Sequence, residues 1–465
     1  MGTGTEMIDR AAAVCLIGLT VLFALREWGA AVPAAPIEAL ALLILALLSL
    51  RVKLTRKAFV LAGIGLSAWL ALAGLDWWAL SLNGLDKAAF IAAFFTALST
   101  LRNAAETSPA LRRAGLFLAA QPPGRRYAAL TLGGQMFALL INYGSISLLG
   151  GLATQSARAE PDPRIRTHRM RRMLLAIQRG FLASLPWSPM AFAMAITTAL
   201  IPGATWAAAV LPGIGSAAII ALSGWSMDSI FKPRLGPLPP RKPPDGSWSL
   251  LLPLLFLLVL LAVTVLGLHL ALGLRIVGIV MVVVPVIALA WAILQRLGVG
   301  AEASLRQRAR HYLGQELPGY RGELVLLMMA GYIGTVGAPL LQPIVLSLGL
   351  DPTALPAWVV LASMVWIIPL LGQIGMNPIL GVTLIAPLIP DPATLGVTPA
   401  ALVTAIGAGW ALSGATSPFT ATTLLIGSFA NVSATHVGLR WNGGYFLVTA
   451  LVLTGWVLLY GFVLS

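Results

Sequence analysis

The chain has 465 residues, of which 58% are hydrophobic and only 10% are charged, and its formal net charge is +14. A soluble domain carries about a quarter charged residues, so this composition excludes an ordinary soluble domain. Long apolar blocks, such as 250–272 and 276–294, can each cross a ~30 Å hydrocarbon core as a helix. A β-barrel would show alternating segments of ~10 residues instead. The sequence therefore predicts an all-α polytopic membrane protein with about 11–13 membrane segments.

In chain order, the apolar runs predict helices over 8–25, 36–50, 57–75, 88–101, 127–153, 173–200, 203–222, 249–270, 273–294, 323–349, 356–388, 398–428 and 441–463. The first run lacks a clear cleavage site, so we interpret it as a spanning helix rather than a signal peptide. Residues 232–246 are polar and rich in proline, which predicts a linker. The expected domains are 1–56 (N-terminal helices), 57–228 (first repeat), 229–248 (cytoplasmic linker), 249–428 (second repeat) and 429–465 (C-terminal helix).

Basic residues are concentrated in five connections, at 51–57, 102–126, 158–172, 232–242 and 296–321. The connections near Pro202, Asp351 and Asp391 have almost none. This distribution predicts that the five basic loops are cytoplasmic and that the chain is a multi-pass protein of a bacterial-type inner membrane. Membrane lipids are expected partners, because arginine-rich loops suit an anionic inner leaflet. Nucleic acid is not, because spanning helices interrupt the charges.

Four short matches, with offsets between 188 and 195 residues, predict an internal repeat. They pair Pro123-Gly124 with Pro318-Gly319, Trp187-Ser188-Pro189 with Met376-Asn377-Pro378, Leu200-Ile201-Pro202 with Leu388-Ile389-Pro390, and Ala221–Gly224 with Ala411–Gly414. The basic charge of both 102–126 and 296–321 favours a parallel repeat, but an inverted repeat stays open. The segments 127–153 and 323–349 are each long enough for one crossing or for a re-entrant hairpin.

Three apolar helices are interrupted by proline and polar residues, near Pro186-Pro189, Asn377-Pro378 and Ser417-Pro418. Backbone groups freed at membrane depth must be buried in protein or face a wet cavity, and a half-helix N-terminus offers amides to an anion. Broken helices in two halves therefore indicate a transport site. Short hydroxyls, amides and one cation near these breaks or at the hairpin tips are the candidate substrate- and ion-binding residues: Ser184, Ser188, Asn377, Thr416, Ser417, Thr420, Thr423, Asn142, Ser145 and Arg179. Arg179 has snorkelling to the interface as its alternative role.

No acidic residue lies in the middle of a predicted helix, and the four histidines fall in loops or at a helix end. The sequence offers no metal cluster and no phosphate-cradling loop. We therefore expect no enzymatic activity, no catalytic residue, no metal and no cofactor, apart from Na⁺ as a coupling ion.

This layout resembles the ion transporter superfamily, which includes the divalent-anion/sodium symporters and the large membrane subunits of tripartite carboxylate transporters. In each half an amphipathic arm (102–124, 296–319) precedes a hairpin (127–153, 323–349) and a broken helix (173–200, 356–388). The Ser-Asn-Thr hairpin signature of the symporters is absent; Asn142-Tyr143-Gly144-Ser145 and Gly334–Gly337 stand there. The resemblance implies secondary transport of a small carboxylate-like anion, coupled to Na⁺ or H⁺, by an elevator-type movement, and leaves a homodimer open. Transport of a lipid-linked or amphiphilic substrate and a non-transport scaffold or enzyme are the alternatives.

Overall fold

The computed structural model describes residues 2–106, 108–232, 246–297, 305–349 and 352–464. In the first half the α-helices are α1 Gly2–Glu27, α2 Ala34–Ser49, α3 Leu54–Leu72, α4 Trp77–Glu106, α5 Pro109–Ala120, α6 Pro123–Ile141, α7 Gly144–Arg158, α8 Pro163–Ser184, α9 Phe192–Leu200 and α10 Trp206–Ile230. They continue with α11 Leu252–Leu272, α12 Ile276–Leu297, α13 Leu305–His311, α14 Leu317–Gly319, α15 Arg321–Ser347, α16 Ala357–Gln373, α17 Pro378–Ile385, α18 Pro392–Leu395, α19 Pro399–Thr416, α20 Ala421–Ala430 and α21 Gly443–Leu459. Most of the linker predicted at 229–248 lies outside the described residues.

All regular secondary structure in the described residues is helical, which confirms the predicted all-α fold class. Within it, nine stretches are long and apolar enough to cross a membrane: α1, α3, α4, α10, α11, α12, α15, the pair α19–α20, and α21 with the turn after it. Shorter apolar helices are α2, α16 and α17 with the turn after it. The chain is therefore a multi-pass membrane protein by helix length and composition.

The two segments whose form the sequence left open differ from each other. Residues 127–153 form two helices, α6 and α7, which pack together and meet at Asn142–Tyr143. Asn142 has φ 47° and ψ −127° there, a conformation outside the left-handed helical region that glycine adopts most readily. Residues 323–349 instead lie within one continuous helix, α15. Gly334 of α15 serves close packing against Thr383, whose hydroxyl donates to Ala330 O at 3.1 Å, rather than a chain reversal.

The chain forms two compact units. Unit 1 comprises residues 1–104, 261–351 and 382–388, and unit 2 comprises 105–260, 352–381 and 389–465. In unit 1, α1 is tied to α4 by the Arg26–Asp86 ion pair at 2.7 Å and to α12 by a hydrogen bond from Trp28 Nε1 to Gly278 O at 3.0 Å. Unit 2 contains α5–α10, α16 and α18–α21, and therefore both helices that are broken at a Ser-Pro pair.

Unit 2 is built from two matching sets of helices. In the first, α6 runs parallel to α8, because Gly180 of α8 packs on Thr131 and Gln135 Nε2 donates to Ala183 O at 3.3 Å. In the second, α16 runs parallel to α19, because Gly409 of α19 packs on Met364 and Ser417 Oγ donates to Gly372 O at 2.7 Å. Helices α16 and α17 form the second hairpin, since Gly381 lies beside Leu371 across the turn that contains Asn377. Because α10 follows the first set and α21 follows the second, the order hairpin, broken helix, spanning helix occurs twice.

The two sets run in opposite directions. Gln178 Nε2 donates to Gly414 O at 3.3 Å, whereas Gly407 lies beside Pro186, so α8 and α19 are antiparallel. The helices α10 and α21 are antiparallel too, since Tyr445 contacts Ile220 O and Trp456 contacts Pro212 O through hydrogen bonds. The repeat is therefore inverted, and the parallel arrangement that the sequence favoured is wrong.

The register of the repeat also differs from the sequence matches. Ser188 matches Ser417, and the turn at Asn142 matches the turn that contains Asn377. The second set begins at α16, one spanning helix after the basic stretch 296–321. That stretch is not the counterpart of 102–126, so both can be cytoplasmic in an inverted repeat. The matches at offsets of 188–195 residues therefore do not align the two sets of helices.

Candidate substrate site at two broken helices

The first break separates α8 from α9. Helix α8 ends at Ser184, whose hydroxyl donates to Phe181 O at 2.7 Å, and α9 begins at Phe192. Pro186 and Pro189 cannot donate backbone hydrogen bonds, and two such losses within four residues favour a break at this point. The hydroxyl of the buried Ser188 accepts the Met190 N–H at 3.2 Å and holds the irregular segment in a tight turn.

The second break separates α19 from α20 and repeats this geometry. The hydroxyl of Ser417, which is fully buried, accepts the Phe419 N–H at 3.2 Å. It also donates to Gly372 O near the end of α16, a bond to another helix for which Ser188 shows no equivalent. Thr416, the last residue of α19, donates to Leu412 O at 3.0 Å within its own helix.

The two breaks correspond residue by residue. Ser188 and Ser417 each precede a proline, and each stands four positions before the next helix begins. Gly180 and Gly409 each lie eight positions earlier, where a side chain would collide with a backbone carbonyl of the neighbouring helix. The same local sequence therefore produces the same break twice, at an offset of 229 residues (417 − 188).

Hydroxyl oxygens cluster at the start of α20. Thr420 Oγ1 lies 3.0 Å from Thr422 Oγ1 and 3.1 Å from Thr423 Oγ1. Thr423 and Thr420 also donate to Ser417 O, at 2.5 and 3.0 Å, and Thr422 donates to Gly414 O. The cluster brings several hydroxyl and carbonyl oxygens together at one helix start, with no side-chain cap on that start.

The hairpin turns carry the remaining predicted residues. Ser145 Oγ donates to Asn142 O at 2.7 Å, so this hydroxyl supports the turn between α6 and α7. The Asn142 Oδ1 atom is buried and has no hydrogen-bond partner among the described residues. Asn377 Oδ1 accepts the Ile379 N–H at 2.9 Å, and Gly375 before it has a φ of 94°. Each turn lies beside the break of its own set, since Tyr143 packs on Phe181 and Gly375 lies beside Phe419.

Arg179 is almost fully buried on α8, about 7.5 Å along the helix axis from Ser184. Its guanidinium donates to Tyr127 Oη at 2.8 Å, Gly224 O at 3.4 Å and Asn442 Oδ1 at 3.2 Å, and it lies over the Tyr445 ring at 4.0 Å. No carboxylate of the described residues pairs with it. Arg179 is therefore a buried cation held by neutral groups, and its Nε has no partner in the described structure.

Asn442 connects Arg179 to the second break. Its Nδ2 donates to Gln178 Oε1 at 3.0 Å and to Ala415 O at 3.2 Å, while Gln178 Nε2 donates to Gly414 O. The sequence analysis missed Asn442, Gln178, Tyr127 and Tyr445. Two polar residues in succession, Gln178-Arg179, within an apolar helix were the signal that could have suggested a buried network.

Further polar atoms near the breaks are buried without a partner in the described part of the chain. They include Ser413 Oγ on α19 and Thr197 Oγ1 on α9. A buried polar group without a partner costs free energy, so such groups in a native structure call for water, an ion or a ligand. The structure thus brings Ser184, Ser188, Thr416, Ser417, Thr420 and Thr423 to two matching breaks, with Asn142, Ser145 and Asn377 at the adjoining turns.

Comparison with known proteins identifies similar folds but no family. No family model matches the chain, and no curated protein matches it. The YdaH transporter of Alcanivorax borkumensis, described as having an unusual topology, is 19% identical with a TM-score of 0.55, over 78% of this chain and 84% of that chain. MtrF of Neisseria gonorrhoeae, described with a class of antimetabolite efflux pumps, is 16% identical with a TM-score of 0.43, over 80% of this chain and 83% of that chain. The similarity to YdaH shows that this chain has a polytopic helical fold also found in a transporter.

Proposed function

We propose that the chain is a secondary transporter of a small carboxylate-like anion in a bacterial-type inner membrane. The observation that carries the proposal is the antiparallel pair of broken helices in unit 2, each interrupted at a Ser-Pro pair. At each break a half-helix, α9 or α20, begins without a side-chain cap. The first amides of such a helix, together with the helix dipole, attract an anion. The YdaH fold supports this proposal, because that protein is a transporter.

Arg179 supports an anionic substrate as well. A buried cation without a carboxylate partner raises the local potential, and the low dielectric of a membrane protein's interior strengthens that effect. The guanidinium of Arg179 already donates to Tyr127, Asn442 and Gly224. We therefore propose that it attracts the anion from a distance and positions neighbouring groups, rather than contacting the anion directly. The neutral donors at the breaks would bind the anion only modestly, which suits a carrier that must release its cargo.

Na⁺ is the coupling ion that the site favours over H⁺. The helices α8, α9, α19 and α20 and the breaks between them contain no aspartate or glutamate that could carry a proton. The oxygen cluster of Ser417, Thr420, Thr422 and Thr423 offers instead the hydroxyl and carbonyl ligands that a hard cation prefers. An elevator-type movement of the unit that contains the site belongs to the same proposal.

A second candidate is transport of an amphiphilic anion. Phe419, directly after the second Ser-Pro pair, leaves 60% of its surface exposed beside Gly375. An exposed aromatic ring next to a polar break would bind the apolar part of an aryl or acyl carboxylate.

Uptake into proteoliposomes tests both candidates. The purified chain is reconstituted, and radiolabelled short dicarboxylates, aryl carboxylates and a neutral amino acid are offered with an inward Na⁺ gradient, a pH gradient or neither. We expect uptake of a carboxylate that the Na⁺ gradient drives. Equal uptake without any gradient would exclude coupling, and uptake of the neutral solute alone would exclude an anion carrier. Ser417→Ala should lower uptake, and the exposed Ser428→Ala on α20 is the matched control.

A further inference from the structure

We propose that unit 1 binds an anionic phospholipid, with an acyl chain in an apolar groove between α1, α4 and α12 and the headgroup against the basic helix α13. The groove has a volume of about 500 Å³, within the usual range of small-molecule sites. Its lining is almost entirely apolar and comes from α1, α4, α12 and the turn after α13; it includes Val21, Leu25, Thr100, Pro285, Val286 and Tyr312.

The groove opens to the membrane. Val21, Leu25 and Val286 are 52%, 47% and 59% exposed, and all three lie in membrane-spanning helices. A water molecule in this groove would find too few polar groups to form its usual hydrogen bonds. Hydrocarbon is therefore the expected filling at this depth, and an acyl chain supplies it.

An apolar lining cannot by itself select one lipid, because all lipid tails are about as apolar as the leucine and valine that they touch. Selectivity has to come from polar groups at one end of the groove. Tyr312 marks that end: its hydroxyl is bonded to Ser99 Oγ at 2.6 Å, and its chain leads directly back into α13.

Helix α13 supplies the charge. It carries Arg306, Arg308 and Arg310 in the seven residues before Tyr312. Arg308 Nη1 donates to Gln295 Oε1 of α12 at 2.8 Å, and Gln295 Nε2 donates to Ala104 O of α4 at 2.9 Å. These two bonds fix α13 at the end of two helices that form the groove walls.

Two of these arginines are available to a headgroup. Arg306 and Arg310 are exposed and make no hydrogen bond or ion pair with any residue that the structure describes. The adjacent acid, Glu316, is already held by Asn103 at 2.6 and 2.7 Å and by His311 at 3.3 Å. The positive charge at this end of the groove therefore favours a phosphatidylglycerol-type headgroup over a zwitterionic one.

Native mass spectrometry of the purified full chain tests the proposal. The protein is titrated with equimolar phosphatidylglycerol and phosphatidylcholine, and the affinity of the tightest bound copy of each is measured. We expect phosphatidylglycerol to bind more tightly. The double variant Arg306→Gln/Arg310→Gln should weaken it on the order of tenfold, as expected for two arginines at an anionic headgroup. Arg112→Gln/Arg113→Gln, an exposed pair on α5, is the control with the same loss of charge.

Filling the groove is the second arm of the test. Val286→Trp should reduce binding of both lipids, whereas Val263→Trp, at an exposed valine of α11 that does not line the groove, should not. Equal wild-type affinity for the two lipids, or no effect of the α13 double variant, would overturn the proposal. Loss of a dimer in Val286→Trp with unchanged lipid binding would overturn it too, and would assign the groove to a second copy of the chain.

Discussion

Ser188 and Ser417 occupy equivalent positions in two antiparallel helices, and each accepts the N–H two residues further on at 3.2 Å. Only Ser417 also donates to a neighbouring helix, at Gly372 O. The two halves of the inverted repeat therefore share the same backbone turn. They differ in that only the second serine is hydrogen-bonded to the hairpin helix beside it, α16.

That asymmetry predicts different effects of the same substitution. Ser417→Ala removes the bond to α16 and should lower the free energy of unfolding by about 1 kcal/mol. Ser188→Ala removes only a bond within its own turn and should cost less. Thermal unfolding of the two purified variants in one detergent measures the difference. A larger loss in Ser188→Ala would contradict the assignment of Ser417 as the link between α16 and α19.

The close approach of helices within each set gives a second prediction. A methyl group at Gly180 would collide with Thr131 O, and one at Gly409 would collide with Met364 O. Backbone carbonyls cannot rotate away, so Gly180→Ala and Gly409→Ala should each destabilise the protein by about 2 kcal/mol or more. Gly151→Ala on α7 should fold normally, because the added methyl group would lie 4.0 Å from the ring of Phe429. The expression yield and the thermal unfolding temperature of the three variants test this prediction.

Composition and periodicity sufficed for much of this fold. Long apolar blocks predicted a polytopic helical protein, and proline next to serine or asparagine predicted the breaks at Ser188, Asn377 and Ser417. These are local effects, since a proline lacks a backbone donor and its ring obstructs the preceding turn of a helix. Proline alone does not determine a break, since Pro339 and Pro343 lie inside the continuous helix α15. In membrane helices, neighbouring helices and side chains can satisfy the backbone groups that a proline leaves free.

The register and direction of the repeat could not be obtained in this way. The similarity between Trp187-Ser188-Pro189 and Met376-Asn377-Pro378 is real in sequence, but these segments occupy a break and a hairpin turn. Direction depends on contacts between residues more than two hundred positions apart, such as Gln178 with Gly414. Asn442 was missed for the same reason, since its importance comes from Gln178 and Arg179, both more than two hundred positions away.

Membrane topology gives a third prediction. On a Cys15→Ser background, cysteines at Arg112 and Arg308 should react only from the cytoplasmic side, because both lie in strongly basic segments. Cysteines at Pro202 and Thr394 should react only from outside. Pro202 follows α9 and Thr394 precedes α19, so the antiparallel direction of α8 and α19 places both on the side opposite the basic start of α8, and both connections lack basic residues. Labelling with a membrane-impermeant maleimide in intact cells measures this. External labelling at Arg308 would contradict the orientation.

Arg179 should affect affinity more than turnover. If the buried cation attracts the anion, Arg179→Gln should raise KM about tenfold, while Arg179→Lys, which keeps the charge, should raise it less. Lysine cannot reproduce the planar donor fork to Tyr127 and Asn442, so both variants should lose some stability. Asn442→Ala should also lose stability, because Arg179 and Gln178 lose a partner, whereas the exposed Asn83→Ala should not. Equal KM in wild type and Arg179→Gln would leave Arg179 with a purely structural role.

Asn142 allows the ligand-binding role of a hairpin turn to be separated from its backbone role. Its φ of 47° is one that glycine adopts without strain, so Asn142→Gly should preserve the turn between α6 and α7. The substitution removes only the amide, whose Oδ1 is buried without a partner among the described residues. Asn142→Ala removes the same amide but strains the backbone. If the amide contacts the transported solute or its coupling ion, both variants should lower uptake, and only Asn142→Ala should also lower the melting temperature. Normal uptake by a folded Asn142→Gly variant would remove this turn from the binding site and leave the two Ser-Pro breaks and the Asn377 turn as its candidates.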